Sequence, residues 1–140
     1  MAKAEAEAPV RESAANELSR ELREALQALQ KDLRGVLGSV LVDERGSPLV
    51  WELRGGAEPM LVATAGAMLA RTTARIADQL DLGALRNTVL TTEQGSVAVF
   101  GVVDNTYLVV LLQPTANSIL VLVEVGKALE RLREVMGAGR

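Results

Sequence analysis

Residues 59–80 read PMLVATAGAMLARTTARIADQL. Pro59 suits a first helical position, because it lacks the N–H that goes unpaired there. Gly83 follows the stretch, where a left-handed cap costs least. Between Pro59 and Ala70 there is no charged side chain, whereas a surface helix usually carries one apolar stripe and a charged back. Leu61, Ala65, Met68, Leu69, Ile76 and Leu80 form one stripe at three- and four-residue spacing. Val62, Gly66, Ala70, Ala74 and Ala77 form a second stripe of small side chains. Such a helix needs cover on two sides. Either it is buried within one domain, or it lies at an interface where its small residues let a second backbone approach. On the second reading, Gly66→Arg or Ala70→Glu splits a dimer.

Upstream, Leu18, Leu22, Leu26, Leu29 and Leu33 recur at helical spacing, with Glu17, Arg20, Glu21, Arg23 and Glu24 on the other face. An amphipathic helix is expected over Ser13 to Leu33, stopped by Gly35. Residues 1–12 are Ala/Glu-rich low-complexity sequence, and a disordered tail is expected there. Ser39 to Val42 and Pro48 to Leu53 read as a hairpin around Asp43-Glu44-Arg45-Gly46-Ser47, with Gly46 supplying positive φ. Arg54-Gly55-Gly56-Ala57 is read as a flexible connector. It lacks the lysine and spacing of a phosphate loop.

Downstream, three more strands are expected, at Asn87 to Thr92, Ser96 to Val102 and Tyr107 to Leu112. The turn formers Glu93-Gln94-Gly95 and Asp104-Asn105 separate them. The last two are apolar on both faces and should be inner strands. Pro114 breaks the last strand, and Asn117 or Thr115 can cap a helix over Ser118 to Met136. Ile119 to Val123 taken alone has strand propensity, so the helix start is ambiguous. Residues 137–140 are a loose end.

At 140 residues, the chain is one domain, 13–136, plus a tail. Lys and Arg total 15 against 18 Asp and Glu, a net charge of −3. No basic stripe points to nucleic acid. The absence of Cys and His removes thiol and imidazole chemistry and nearly all structural zinc sites. The acidic N-terminus does not resemble a signal peptide. The longest apolar runs fall short of a membrane span, so a cytoplasmic protein is expected. Carboxylate pairs such as Asp43-Glu44 sit in turns, where they are solvated or capping groups. No catalytic, cofactor or metal residues are assigned.

The order helix, two strands, helix, three strands, helix resembles the Roadblock/dynein light chain family, which includes bacterial MglB-like small-GTPase regulators. The likeness covers about residues 16 to 136. It shows in Gly35-Val36-Leu37-Gly38-Ser39-Val40-Leu41-Val42-Asp43 followed by Gly46, in Tyr107-Leu108-Val109-Val110 after Asp104, and in Ala116-Asn117. Ile119 departs from it, since many relatives have glycine there. The resemblance implies an α+β fold. A five-stranded antiparallel sheet carries the central helix on one face and the terminal helices on the other. It also implies a homodimer with third strands paired edge to edge and central helices in contact. Its interface then maps to Leu61, Val62, Ala65, Gly66, Met68, Leu69, Ala70 and Thr73, and to Asn87, Thr88, Val89, Leu90 and Thr91.

Function follows from the same resemblance. It implies a non-catalytic partner of a small Ras-like GTPase, acting as an activating protein or co-regulator. The alternative is a dimeric scaffold without effect on GTP hydrolysis. A small-molecule sensor is a third possibility, for which the sequence offers no polar cluster facing an apolar pocket. Arg54 is the one loop arginine that could serve as an arginine finger. Its simpler role is a solvated loop charge.

Overall fold

The computed structural model describes the backbone of residues 2–116 and 118–138, and the side chains of residues 16–116 and 119–137. The elements follow the expected order: α1 (Ala2–Asp32), β1 (Val36–Val42), β2 (Pro48–Leu53), α2 (Pro59–Gln79), β3 (Asn87–Thr92), β4 (Gly95–Gly101), β5 (Tyr107–Leu112) and α3 (Ser118–Ala138). The sheet is antiparallel throughout, in the order β2-β1-β5-β4-β3. The fold is therefore α+β, as expected, with β3 at one edge.

Two cores sandwich the sheet. Leu22, Leu26 and Leu29 of α1 and Val121, Val125 and Leu132 of α3 pack on Leu41, Leu108, Val110 and Phe100. Ala63, Ala67 and Ala70 of α2 pack on Val40, Val42, Val99 and Val109 from the opposite side. Strand alternation makes this division, because neighbouring side chains in a strand point to opposite faces. Leu41 and Val42 accordingly serve different layers. Most of β5 and the Ala98-Val99-Phe100 segment of β4 are buried on both faces, as their unbroken apolar runs require. β1 is equally buried, because it lies between β2 and β5.

Several boundaries differ from the sequence expectation. β1 begins at Val36 rather than Ser39. A register shift between Val36 and Gly38 lets that glycine-containing segment pair with β5. The helix expected from Ser13 begins at Ala2. Ala and Glu are strong helix formers, which favours continuing the helix through this stretch. The side chains of the expected tail lie outside the described residues. So does Asn117, the candidate cap of α3.

The β1–β2 turn is held as its composition suggests. The Asp43 carboxylate accepts from the backbone N–H of Arg45 (2.9 Å) and Ser47 (3.0 Å). Gly46 takes φ 87°, a conformation open to glycine without steric cost. At the end of α2 two residues are left-handed, the expected Gly83 (φ 87°) and, two positions earlier, Asp81 (φ 57°), which takes the cap position itself. Leu82 donates to the Ala77 carbonyl (2.8 Å) and Asp81 to that of Asp78 (3.1 Å). Those two bonds form a Schellman cap, with an aspartate where glycine is commonest.

Candidate interaction site on α2 and β3

The inner face of α2 is made of small residues. Ala63, Gly66, Ala67 and Ala70 are its buried positions. A Cβ added at Gly66 would stand 2.3 Å from the Val109 Cγ2 atom. Glycine is thus required there by the protomer's own sheet. The structure reverses the expectation for the small-residue stripe. Gly66 and Ala70 seat the helix on β5 and its neighbours and are not open to a second backbone. A Gly66→Arg or Ala70→Glu chain would be damaged in its own core before any dimer formed.

The outer face carries the large side chains. Met68 is 65% exposed, Leu61 67% and Ile76 49%. Ala65 is exposed beside them, and Val62, Leu69 and Thr73 are half-buried on the flank. Thr73 spends its hydroxyl on its own helix, donating to the carbonyls of Leu69 (2.8 Å) and Ala70 (3.2 Å). The opposite flank is fixed by Arg71, which donates to the Glu44 carbonyl (2.6 Å) in the β1–β2 turn. Val62 and Leu69 lie across the helix from Arg71 in a 3.6-residue repeat and so occupy the flank toward β3, while Leu61, Met68 and Ile76 point away from the sheet.

β3 continues that surface. Asn87, Val89, Leu90 and Thr91 are exposed and Thr88 is half-buried. Leu90 pairs with Val97 and Val89 with Ala98. Leu90 therefore points to the α2 side and Val89 to the α1/α3 side. One edge of β3 pairs with β4, and the other ends the sheet. Beside Leu90 a shallow groove of about 220 Å³ is lined by Leu37, Val97 and Leu111. Leu37 lines this groove and was not singled out in the sequence as a site residue. Its groove neighbours Leu90, Val97 and Leu111 are distant in the chain, so no periodicity marks it.

A second cavity, of about 450 Å³, lies between the end of α2, the β4–β5 turn and Arg133. Arg133 donates to the carbonyls of Val102 and Gly101 (both 2.8 Å). Its guanidinium is thus tied to the fold. Among the described residues, no group of three or more acidic side chains is placed to hold a metal ion. No helix among them is long and apolar enough to cross a membrane.

Arg54 is also engaged. With its amide turned to satisfy both neighbours, Gln30 of α1 donates to the Glu52 carbonyl (3.1 Å) and accepts from Arg54 Nε (2.6 Å). An arginine held this way fixes the strand end to α1.

The profile of the Roadblock/LC7 domain matches residues 22–112, from the core face of α1 to the end of β5. The chain belongs to the Roadblock/LC7 family. Solved Roadblock proteins share the whole architecture. Myxococcus xanthus MglB superposes with a TM-score of 0.79 over 86% of this chain and 90% of its own, at 17% identity. The gliding protein MglB of Thermus thermophilus gives 0.75 over 84% and 90%, at 20% identity. An MglB in a tetrameric arrangement gives 0.77 over 84% and 89%, also at 20%. No curated protein matches by sequence. At these identities the likeness defines the Roadblock fold. The nature of the outer α2 face comes from this chain's own residues.

Proposed function

We propose that the chain is a homodimeric, non-catalytic regulator of a small Ras-like GTPase, working in the cytoplasm. The observation that carries the dimer is the outer apolar row of α2, together with the exposed Leu90 at the open edge of β3. Burying a Leu, Ile or Met side chain stabilises by roughly 1.5–3 kcal/mol. A two-fold contact covers Leu61, Met68 and Ile76 on both chains at once. An unpaired strand edge invites another strand, and β3 of a second copy supplies one. A standard interface buries roughly 1,200–2,000 Å² in total.

The regulatory role is supported by family membership and by the likeness to MglB folds. Proteins that resemble MglB activate GTP hydrolysis by repositioning the GTPase's own residues. Arg54 is therefore given no part in catalysis. The test is GTP turnover by a partner GTPase with and without the protein. A raised rate is expected. Binding with an unchanged rate would leave a scaffold in place of a regulator.

A further inference from the structure

The cavity of about 450 Å³ at the end of α2 lies apart from the outer apolar row, and its walls carry unspent hydrogen-bonding groups. Its floor is a row across three strands. Gly101 pairs with Tyr107. The Gly101 N–H donates to the Arg86 carbonyl (3.0 Å), one position beyond the Asn87–Phe100 pair. Arg86 and Tyr107 therefore flank a residue with no side chain. Tyr107 packs on the α2 side of the sheet. A Cβ on Gly101 would stand 3.2 Å from the Leu85 carbonyl oxygen, so glycine keeps the space between arginine and tyrosine open. Ala74, Leu85 and Val103 supply apolar wall.

The charge of this lining is positive, with Arg86 and Arg133 against Asp104. Arg133 donates to the carbonyls of Val102 and Gly101. Those two oxygens would otherwise repel an anion, and the guanidinium offsets their partial charge. It spends two of its five N–H donors in doing so. Arg86 is the opposite case. Among the described residues its guanidinium has no hydrogen bond or ion pair, and the side chains of Asn105, Thr106 and Tyr107 have no hydrogen bond. An unpaired arginine on a convex surface is simply hydrated. This one borders a concave site, beside a phenol and an amide that are equally unspent.

We infer that the cavity binds a small organic anion, one phosphate or carboxylate group on a compact apolar body. Its volume falls within the roughly 300–1,000 Å³ usual for small-molecule sites, which combine apolar walls with a few placed polar groups. The planar fork of an arginine matches two oxygens of either head group. Hydrogen bonds to an ionised group are also about twice as strong as neutral ones. Arg86 takes the charged oxygens, and the Tyr107 hydroxyl and Asn105 amide donate beside it. The apolar body lies on Ala74, Leu85 and Val103. Two arginines against one aspartate suit a single anionic group rather than a polyphosphate chain. The site uses none of Leu61, Met68 and Ile76, so the inference stands whether or not the α2 dimer forms.

Titration of the isotope-labelled full chain with phenyl phosphate, benzoate and phenol, followed by amide NMR, tests this. At least one of the two anions should shift the Gly101, Asn105 and Tyr107 signals saturably in the millimolar range. Phenol has the ring without the charge, and should bind at least about tenfold more weakly. The tighter of the two anions identifies the head group. Arg86→Gln should weaken that anion by at least about tenfold and leave the signals of the core strands in place. Arg86 is exposed, so the variant keeps its fold. Arg23→Gln removes the same charge from exposed α1 and should match the wild type. Shifts that rise without saturation for both anions overturn the inference. So does phenol binding as tightly as the anions, or an affinity unchanged by Arg86→Gln. An equal loss in Arg23→Gln would mark general charge attraction and overturns it as well.

Discussion

Ala63, Gly66, Ala67 and Ala70 on one side of α2 and Leu61, Met68 and Ile76 on the other belong to the same uncharged stretch, yet their surroundings are opposite. The small residues lie against Val40, Val99 and Val109 with no room to spare. The large ones are between about half and two-thirds exposed. In many surface helices the large side chains face the core and polar ones face water. Here close helix-to-sheet packing uses the small residues, and the apolar volume left over is presented outward. The lesson is that a stripe of small residues marks where a backbone comes close, without saying whose backbone it is.

Substitutions on the two faces should therefore separate folding from association. The largest effect is expected at Ala70→Glu, which places an unpaired carboxylate under α2. A loss of about 3–5 kcal/mol, the scale of an uncompensated buried charge, should appear as a lower urea midpoint. If the variant folded normally and only lost its partner, the assignment of the two faces would be inverted.

Met68→Glu touches only the outer face. The protomer should keep its secondary structure by circular dichroism, while light scattering after gel filtration shows half the wild-type mass. An unchanged mass would move the interface away from α2.

Ser39 offers a control in the opposite layer. It is fully buried on β1, and its hydroxyl has no hydrogen-bond partner among the described residues. It pairs with Val110 and so points toward α1 and α3. Ser39→Ala should raise stability by about 1 kcal/mol, since an unsatisfied buried polar group is costly, and should leave the oligomeric mass untouched. A fall in stability would mean that the hydroxyl is satisfied in solution.

The smallest change is expected at the end of α2. Asp81→Gly relieves a left-handed residue that bears a Cβ, and should raise the melting temperature by a few degrees, in keeping with roughly 0.5–1 kcal/mol. A lower melting temperature would indicate that the aspartate side chain contributes more than its backbone strain costs.

Much of the architecture was legible in the chain. Pro59 marks the start of α2, and β2, β3 and β5 begin and end where the apolar runs and turn formers place them. These signals are local: a proline ring, a glycine at positive φ or an alternation of side chains acts on its immediate neighbours. β1 was foreshortened because Val36 to Gly38 pair through an irregular register with β5, about seventy residues away. The start of α3 was ambiguous for a related reason. Ile119 to Val123 taken alone has strand propensity, and only the helical spacing from Val121 onward supported the helix that α3 forms from Ser118.

The sequence by itself determined the elements, their order, the inner strands and the presence of more apolar surface on α2 than a small domain can hide. Tertiary structure alone decided which half of that surface is hidden. The choice depends on distance: only residues as small as Gly66 and Ala70 let the helix axis come within reach of Val109. Once it is there, Leu61, Met68 and Ile76 have no direction left but outward.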